Sequence, residues 1–300
     1  METPQASSGP VAPRKRSVAL LLTFLAPGLG QIYSGGLKKG LLFYGLFWAF
    51  HVISFFLVLT IPRAPLNIVT PIALWLAMFL YIARDAVIIA KKNRVDYRLK
   101  AFNRWYVYLM FIFVGTLIIN PIIKYTLVHA YHMSAGSMES TLEIGDYILA
   151  NKLSYGIRDP RTRDCLAFCA SPKRGDVIVF IFPEDRTKDF VKRVVGVAGD
   201  TVEIRNRKLY IDEKAVEEPY AQFSAESADQ KLPLVDDYGP QRVPENRVFV
   251  LGDLRDKSYD SRFWGFVDVA DVKGKAVVIY WSWDADARII RLERIGKAIE

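Results

Sequence analysis

Histidine and cysteine are scarce in this sequence, and that scarcity excludes several chemistries. The three histidines, His51, His129 and His132, lie in or beside apolar segments, too scattered for a catalytic triad or a zinc site. The two cysteines, Cys165 and Cys169, have no companion ligands that would hold a metal. A Gly-rich phosphate loop is also missing, since the Gly-Asp pairs beginning at 145, 175, 199 and 252 read as turns. No cofactor is implied. The polar part of the chain carries no basic stripe with interleaved aromatics, so the net charge of +8 does not indicate nucleic acid. No internal repeat is evident, and no small-residue cleavage site follows the first apolar stretch, which argues against a removable leader.

What is present is uneven. Residues 17–128 hold nearly all the long apolar runs, while 133–300 read as a polar domain long enough to bury its own core. The basic residues cluster at the edges of the apolar runs: Arg14, Lys15, Arg16, Lys38, Lys39, Lys91, Lys92, Arg94, Arg98, Lys100 and Arg104. That is the positive-inside pattern of a multi-pass membrane protein, with the bilayer as its partner. Three spans are expected near 41–62, 66–83 and 105–123, the second ending at Arg84 and Asp85. The basic run 91–104 is the strongest cytoplasmic signal. The third span then runs outward and places everything after about residue 128 outside the cytoplasm. Residues 17–34 fit this count poorly. Their P-G-L-G interruption allows a re-entrant or tightly bent hairpin, and a fourth span remains the other option. Residues 1–16 are expected to be a disordered cytoplasmic tail.

Beyond the spans the period changes. Runs at 177–182, 189–197, 201–204, 208–212, 247–251 and 274–283 are short, rich in branched and aromatic residues, and often bounded by Gly-Asp turns. They predict a mainly antiparallel β domain over 129–300. Residues 213–246, rich in Glu, Asp, Ser and Pro, read as an exposed insertion. Cys165 and Cys169 fall outside the membrane in this topology, where a disulfide is permitted, but the spacing alone leaves their pairing open.

Three blocks in the polar domain carry chemistry. In the first, H-M-S-A-G-S-M-E-S-T-L-E-I-G-D-Y-I-L at 132–149, Ser137 follows a glycine that permits close approach of another backbone. Taken alone, such a serine is usually a turn residue. The second block, at 174–200, contains F-V-K-R-V-V-G-V, where alternation points Phe190, Lys192 and Val194 to one face. A lysine on an apolar face commonly snorkels to water. If it is desolvated instead, its pKa falls and the neutral amine can take a proton from a serine without histidine. In the third block, L-G-D-L-R-D-K-S-Y-D-S-R-F-W-G-F-V at 251–267, Ser258 could orient that lysine while Asp260 pairs with an arginine rather than with the lysine.

These blocks, in this order and after membrane spans, resemble bacterial type I signal peptidase, a membrane-bound serine protease that removes signal peptides. The resemblance rests on G-S-M-x-x-T-L-x-x-G-D, R-G-D-V-I-V-F, K-R-V-V-G-x-x-G-D and G-D-x-R-D-x-S-x-D-S-R-F-W-G, and covers about residues 131–283. It implies Ser137 as nucleophile and Lys192 as general base, with Ser258 hydrogen-bonded to the lysine and Asp260 and Arg262 bracing the loop. It implies shallow pockets for alanine-sized side chains at Ala135, Met138, Val179, Asp189, Phe190 and Val191. It further implies an acyl-enzyme, exported precursor proteins as partners, and a β-rich catalytic domain on the outer side of the inner (plasma) membrane.

Two positions depart from the family pattern. Many members carry a serine at the position of Ala135, whose hydroxyl helps hold the oxyanion, and a proline at that of Ser140, whose loss is expected to loosen a turn. These departures motivate a second reading, a catalytically weak or silent homologue acting as a membrane scaffold or binding protein. A third is a peptidase specialised for one substrate.

Overall fold

The computed structural model describes residues 10–60, 65–159, 162–227 and 232–300. It divides into two compact units, one built from residues up to Ile61 and from Asn67–Tyr125, the other chiefly from Thr126–Glu300.

The first unit is helical. α1 (Arg16–Leu25) stops at Ala26-Pro27-Gly28 and α2 (Leu29–Tyr33) restarts at once. Proline removes a helical donor, and Gly28 has φ +99°, which a side chain resists. A β-carbon there would also meet the Gly40 carbonyl at 2.3 Å, so glycine is required for the close crossing onto the next helix. Residues 17–34 are therefore a bent helical pair and not a single span. α3 (Leu37–Thr60), α4 (Leu66–Lys92) and α5 (Trp105–Phe113) follow, the last running through a π-helical turn at Val114–Ile119 into α6 (Asn120–Thr126). Among the described residues, three helices are long and apolar enough to cross a membrane: Leu37–Val58, Leu66–Lys92 and Trp105–Ile123.

Two expectations need correction here. α4 does not end at Arg84 and Asp85. The apolar run 86–90 carries it on to Lys92, and Asp85 accepts from Lys39 Nζ at 2.9 Å and from Gln31 Nε2 at 3.4 Å. Nor are residues 10–15 a disordered tail. Ala12 N–H donates to the Tyr97 carbonyl, Leu99 N–H to Pro10 and Arg14 N–H to Asn93, so this stretch is tied to 93–99. Residues 1–9 lie outside the described residues.

The second unit is β-rich. Its strands are β1 (Val128–His132), β2 (Asp146–Asn151), β3 (Ile157–Arg158), β4 (Cys165–Ala167), β5 (Val177–Ile181), β6 (Asp189–Val197) and β7 (Thr201–Arg205). They continue through β8 (Lys208–Ile211), β9 (Lys214–Ala215), β10 (Tyr238–Arg242), β11 (Arg247–Leu251), β12 (Val267–Asp268), β13 (Val272–Asp284) and β14 (Ile289–Ile290). A short helix, α7 (Ser261–Trp264), lies between β11 and β12. Among the described residues, the main sheet runs β1-β2-β13-β5-β6-β11-β12 with β14 added to β13, and a smaller one runs β10-β7-β8-β9. Neighbouring strands are antiparallel, as branched residues and short turns favour.

One apolar cluster gathers Met138, Leu142, Ile148, Val177, Val179 and Ile279, and another gathers Ile178, Phe180, Val194, Val248 and Val250. Odd and even residues of β5 thus feed opposite faces, which buries the strand on both sides. The stretch 213–246 is more than an exposed insertion: β10 pairs with β7, and Val235 and Val243 are buried. Cys165 and Cys169 form a disulfide from the first residue of β4 to a position two residues beyond its end, with Cα atoms 5.9 Å apart.

Candidate active site

The centre of β6 positions the lysine. Lys192 faces Ile178 across the β5–β6 ladder and shares its face with Phe190 and Val194. Its amine lies 5.7 Å from the centroid of the Phe190 ring, and only 4% of the residue is exposed. Burial in this apolar setting pushes its pKa down from 10.5 to about 8, with the Arg262 charge acting in the same direction against the opposing pull of Asp260 and Asp253. The amine donates to Ser137 Oγ. Ser137 sits in the turn that follows β1, and its neighbour Met138 plugs the core with no exposure at all. The Ser137 N–H donates to nothing among the described residues, while its carbonyl accepts from Leu254 N–H at 3.2 Å.

The 251–262 segment closes the other side. Asp260 and Arg262 form a wholly buried ion pair through Nε at 2.8 Å and Nη2 at 2.8 Å. Asp260 also accepts from Gly252 N–H at 3.1 Å, and Arg262 reaches the Arg255 carbonyl. Asp260 therefore has its own cation and is not the lysine's partner. Gly252 fits a gap that no side chain could enter, because a β-carbon would lie 2.3 Å from Ser258 Oγ and 2.5 Å from the Ser137 carbonyl oxygen. The expected bond between Ser258 and Lys192 is not formed: Ser258 Oγ is buried and has no hydrogen-bond partner among the described residues. Arg262 Nη2 lies 3.5 Å from the Ser258 carbonyl, and the Ser258 hydroxyl sits beside Gly252.

The six expected pocket positions are distributed unequally. Val179 and Val191 face each other in register, with Val191 packed on the cluster that holds Met138 and Val179. Met138 and Val179 are completely buried, so they form a floor and not an open wall. Phe190 stacks on Phe182 with centroids 4.2 Å apart, and Asp189 is paired with Lys273 at 2.7 Å. Ala135 lines, with Ser137, a cleft of about 510 Å³ whose walls include Glu139, Glu226, Leu254 and Lys257.

Sequence reasoning missed Arg193, the neighbour of the lysine on the other face of β6. It is fully buried and grips Asp253 bidentately at 2.9 and 2.8 Å, with its guanidinium 3.9 Å from the Tyr220 ring centroid. Asp253 accepts in turn from Thr141 Oγ1, which ties the serine turn to the β11 end. The alternation that set Lys192 apart placed Arg193 on the opposite face of β6, and its partner Asp253 lies in the distant 251–267 block. Ser140 is also not a loosened turn. Its φ of +91° is one proline cannot adopt, and its hydroxyl donates to the Tyr220 carbonyl at 3.0 Å.

A family model described as "Signal peptidase, peptidase S26" matches residues 104–281. The chain is 33% identical over 229 residues to a signal peptidase I of Pseudomonas fluorescens, an overlap of 66% of this chain and 78% of that protein. It is 35% identical over 201 residues to a signal peptidase I of Pseudomonas aeruginosa, covering 57% of this chain and 71% of the relative. With a signal peptidase I of Bacillus caldolyticus the identity is 37% over 158 residues, 51% of this chain and 79% of the relative. A crystal structure of a signal peptidase I from Enterococcus faecalis V583 is 36% identical, matching 35% of this chain and 97% of that chain, with a TM-score of 0.31.

Proposed function

The chain belongs to the peptidase S26 family of signal peptidases, which are serine endopeptidases, and from that membership we propose that Ser137 attacks the scissile carbonyl with Lys192 as its base. The observation that carries this reading is the hydrogen bond from a buried amine of lowered pKa to Ser137 Oγ. In its neutral form Lys192 takes the hydroxyl proton as Oγ bonds to the carbonyl carbon. The oxyanion accepts from the unengaged Ser137 N–H, since Ala135 offers no hydroxyl. The lysine ammonium then gives its proton to the departing amine, which leaves an ester on Ser137. Water attacks that ester with Lys192 again as base, freeing the carboxylate and regenerating the hydroxyl.

The substrates in this reading are signal peptides of exported precursors, cut after small residues. Val191, packed over the fully buried Met138 and Val179, leaves depth only for small side chains. The basic flanks of the helices support an inner-membrane anchor with the β unit on the outer side. The unengaged N–H beside an intact serine–lysine bond favours the peptidase over a silent scaffold.

Cleavage of a model precursor in detergent by wild type, Ser137→Ala and Lys192→Ala tests the assignment. Both variants are expected to fold and to lose at least ~10³-fold in rate, the scale of losing a member of a nucleophile–base pair. Wild-type rates in either variant would overturn it.

A further inference from the structure

Arg14, in the helical unit, is held in a site that lacks one component. Only 6% of the residue is exposed. Its guanidinium is sandwiched between the rings of Tyr33 and Tyr97, 4.6 Å from each centroid. Nε and Nη2 are both buried and have no hydrogen-bond partner among the described residues. Two aromatic faces offset part of the cost of desolvating a cation, but they leave directional N–H donors unmet. Buried charges are ordinarily paired, and a guanidinium fork is shaped for two oxygens of one anion.

The surroundings fit such an anion. Pro13, Arg14, Lys15, Arg16, Ser17 and Arg94 line a pocket of about 430 Å³, with four cations and no carboxylate among them. The site is fixed on several sides. Arg14 N–H donates to the Asn93 carbonyl, and Lys15 N–H to the Tyr33 hydroxyl at 3.2 Å. The Tyr97 hydroxyl donates to Asn103, whose amide donates to the Ile32 carbonyl. Its level in the unit is also informative. Arg16 opens α1, and Arg94 follows by two residues the end of α4, one of the helices long and apolar enough to cross a membrane. Cationic pockets at such a helix end lie where lipid phosphates are.

We propose that this pocket binds the phosphodiester of an anionic lipid headgroup, with the Arg14 guanidinium donating to its free oxygens and Lys15, Arg16 and Arg94 supplying charge. A phosphate in solution presents the same oxygens without a tether to the bilayer, and the test separates the two sources.

The full-length chain, stripped of lipid in detergent, is titrated with phosphatidylglycerol or phosphatidylcholine, and retained lipid is counted by native mass spectrometry. Wild type should hold phosphatidylglycerol in preference to phosphatidylcholine. Arg14→Gln should weaken that binding by about tenfold or more, the scale of a lost charge-assisted hydrogen bond. Arg94→Gln and Arg16→Gln, exposed residues whose loss does not threaten the fold, should each weaken it severalfold, while Lys38→Gln, an equal charge change outside the pocket, leaves it unchanged. In a parallel arm inorganic phosphate replaces the lipid, and amide exchange of residues 12–17 is followed. Protection by phosphate with the same variant pattern, and no preference for phosphatidylglycerol, would reassign the pocket to a soluble anion. Equal retention of both lipids without protection by phosphate would overturn the site. So would unchanged binding in Arg94→Gln and Arg16→Gln, or an equal loss in Lys38→Gln.

Discussion

In the proposed mechanism, Lys192 gives up stability in order to act as a base. Its pKa falls from 10.5 to about 8 on folding, so between those values the unfolded chain binds more protons than the folded one. The cost is fully present below about pH 8 and disappears as pH rises through 10.5. Lys192→Met is therefore expected to be inactive yet more stable at pH 7, by on the order of 3 kcal/mol. Thermal unfolding of the full chain in detergent reads this as a higher midpoint whose margin over wild type shrinks toward pH 10.5. An equal or lower midpoint at pH 7 would mean the amine is not desolvated. At this scale, Ser137 and Lys192 stood out through the family motifs, because a serine after glycine is usually a turn residue and a lysine on an apolar strand face usually snorkels to water. Ser258 could not be placed so well. Its motif position brought it to the site, but the direction of its hydroxyl depends on Gly252 and on the Arg262 contacts, which no spacing reveals.

At the level of elements, the serine turn and the β11 end are locked through a glycine. Leu254 N–H holds the Ser137 carbonyl, Thr141 holds Asp253, and Asp253 holds Arg193 of β6. Gly252→Ala pushes a methyl against both Ser258 Oγ and the Ser137 carbonyl, so it should displace the nucleophile while the sheets remain. The expected result is a loss of at least ~10²-fold in precursor cleavage with an unaltered circular dichroism spectrum, because small misplacements of reacting groups are costly. Wild-type activity would show that the turn tolerates the shift. The strands β5, β6, β7, β8, β11 and β13 were legible because branched and aromatic runs between Gly-Asp turns mark them locally. β1 and β2 were hidden, the one continuing from a membrane segment and the other embedded in the serine motif. β10 was missed because its Y-G-P-Q-R sequence has no strand character, and only pairing with β7 makes it one.

For the whole molecule, charge placement sets the expected orientation. The run 91–104 carries six Lys and Arg residues against one Asp, and it joins two helices able to span a bilayer. Protease added to intact spheroplasts should cut the β unit and leave 91–104 untouched until the membrane is breached. Protection of the β unit would reverse the topology. Composition alone separated a part with long apolar runs from a part without them. It did not show that residues 10–15 pair with 93–99, since that contact joins segments some 85 residues apart and no local pattern marks it.

If a dry amine activates Ser137, the pH dependence of kcat/KM for precursor cleavage must follow the titration of that amine. The rate should climb as Lys192 loses its proton, with a midpoint near pH 8 and a plateau above it. A rate that rises only near 10.5, the value of an ordinary lysine, or that ignores pH between 6 and 10, would contradict it.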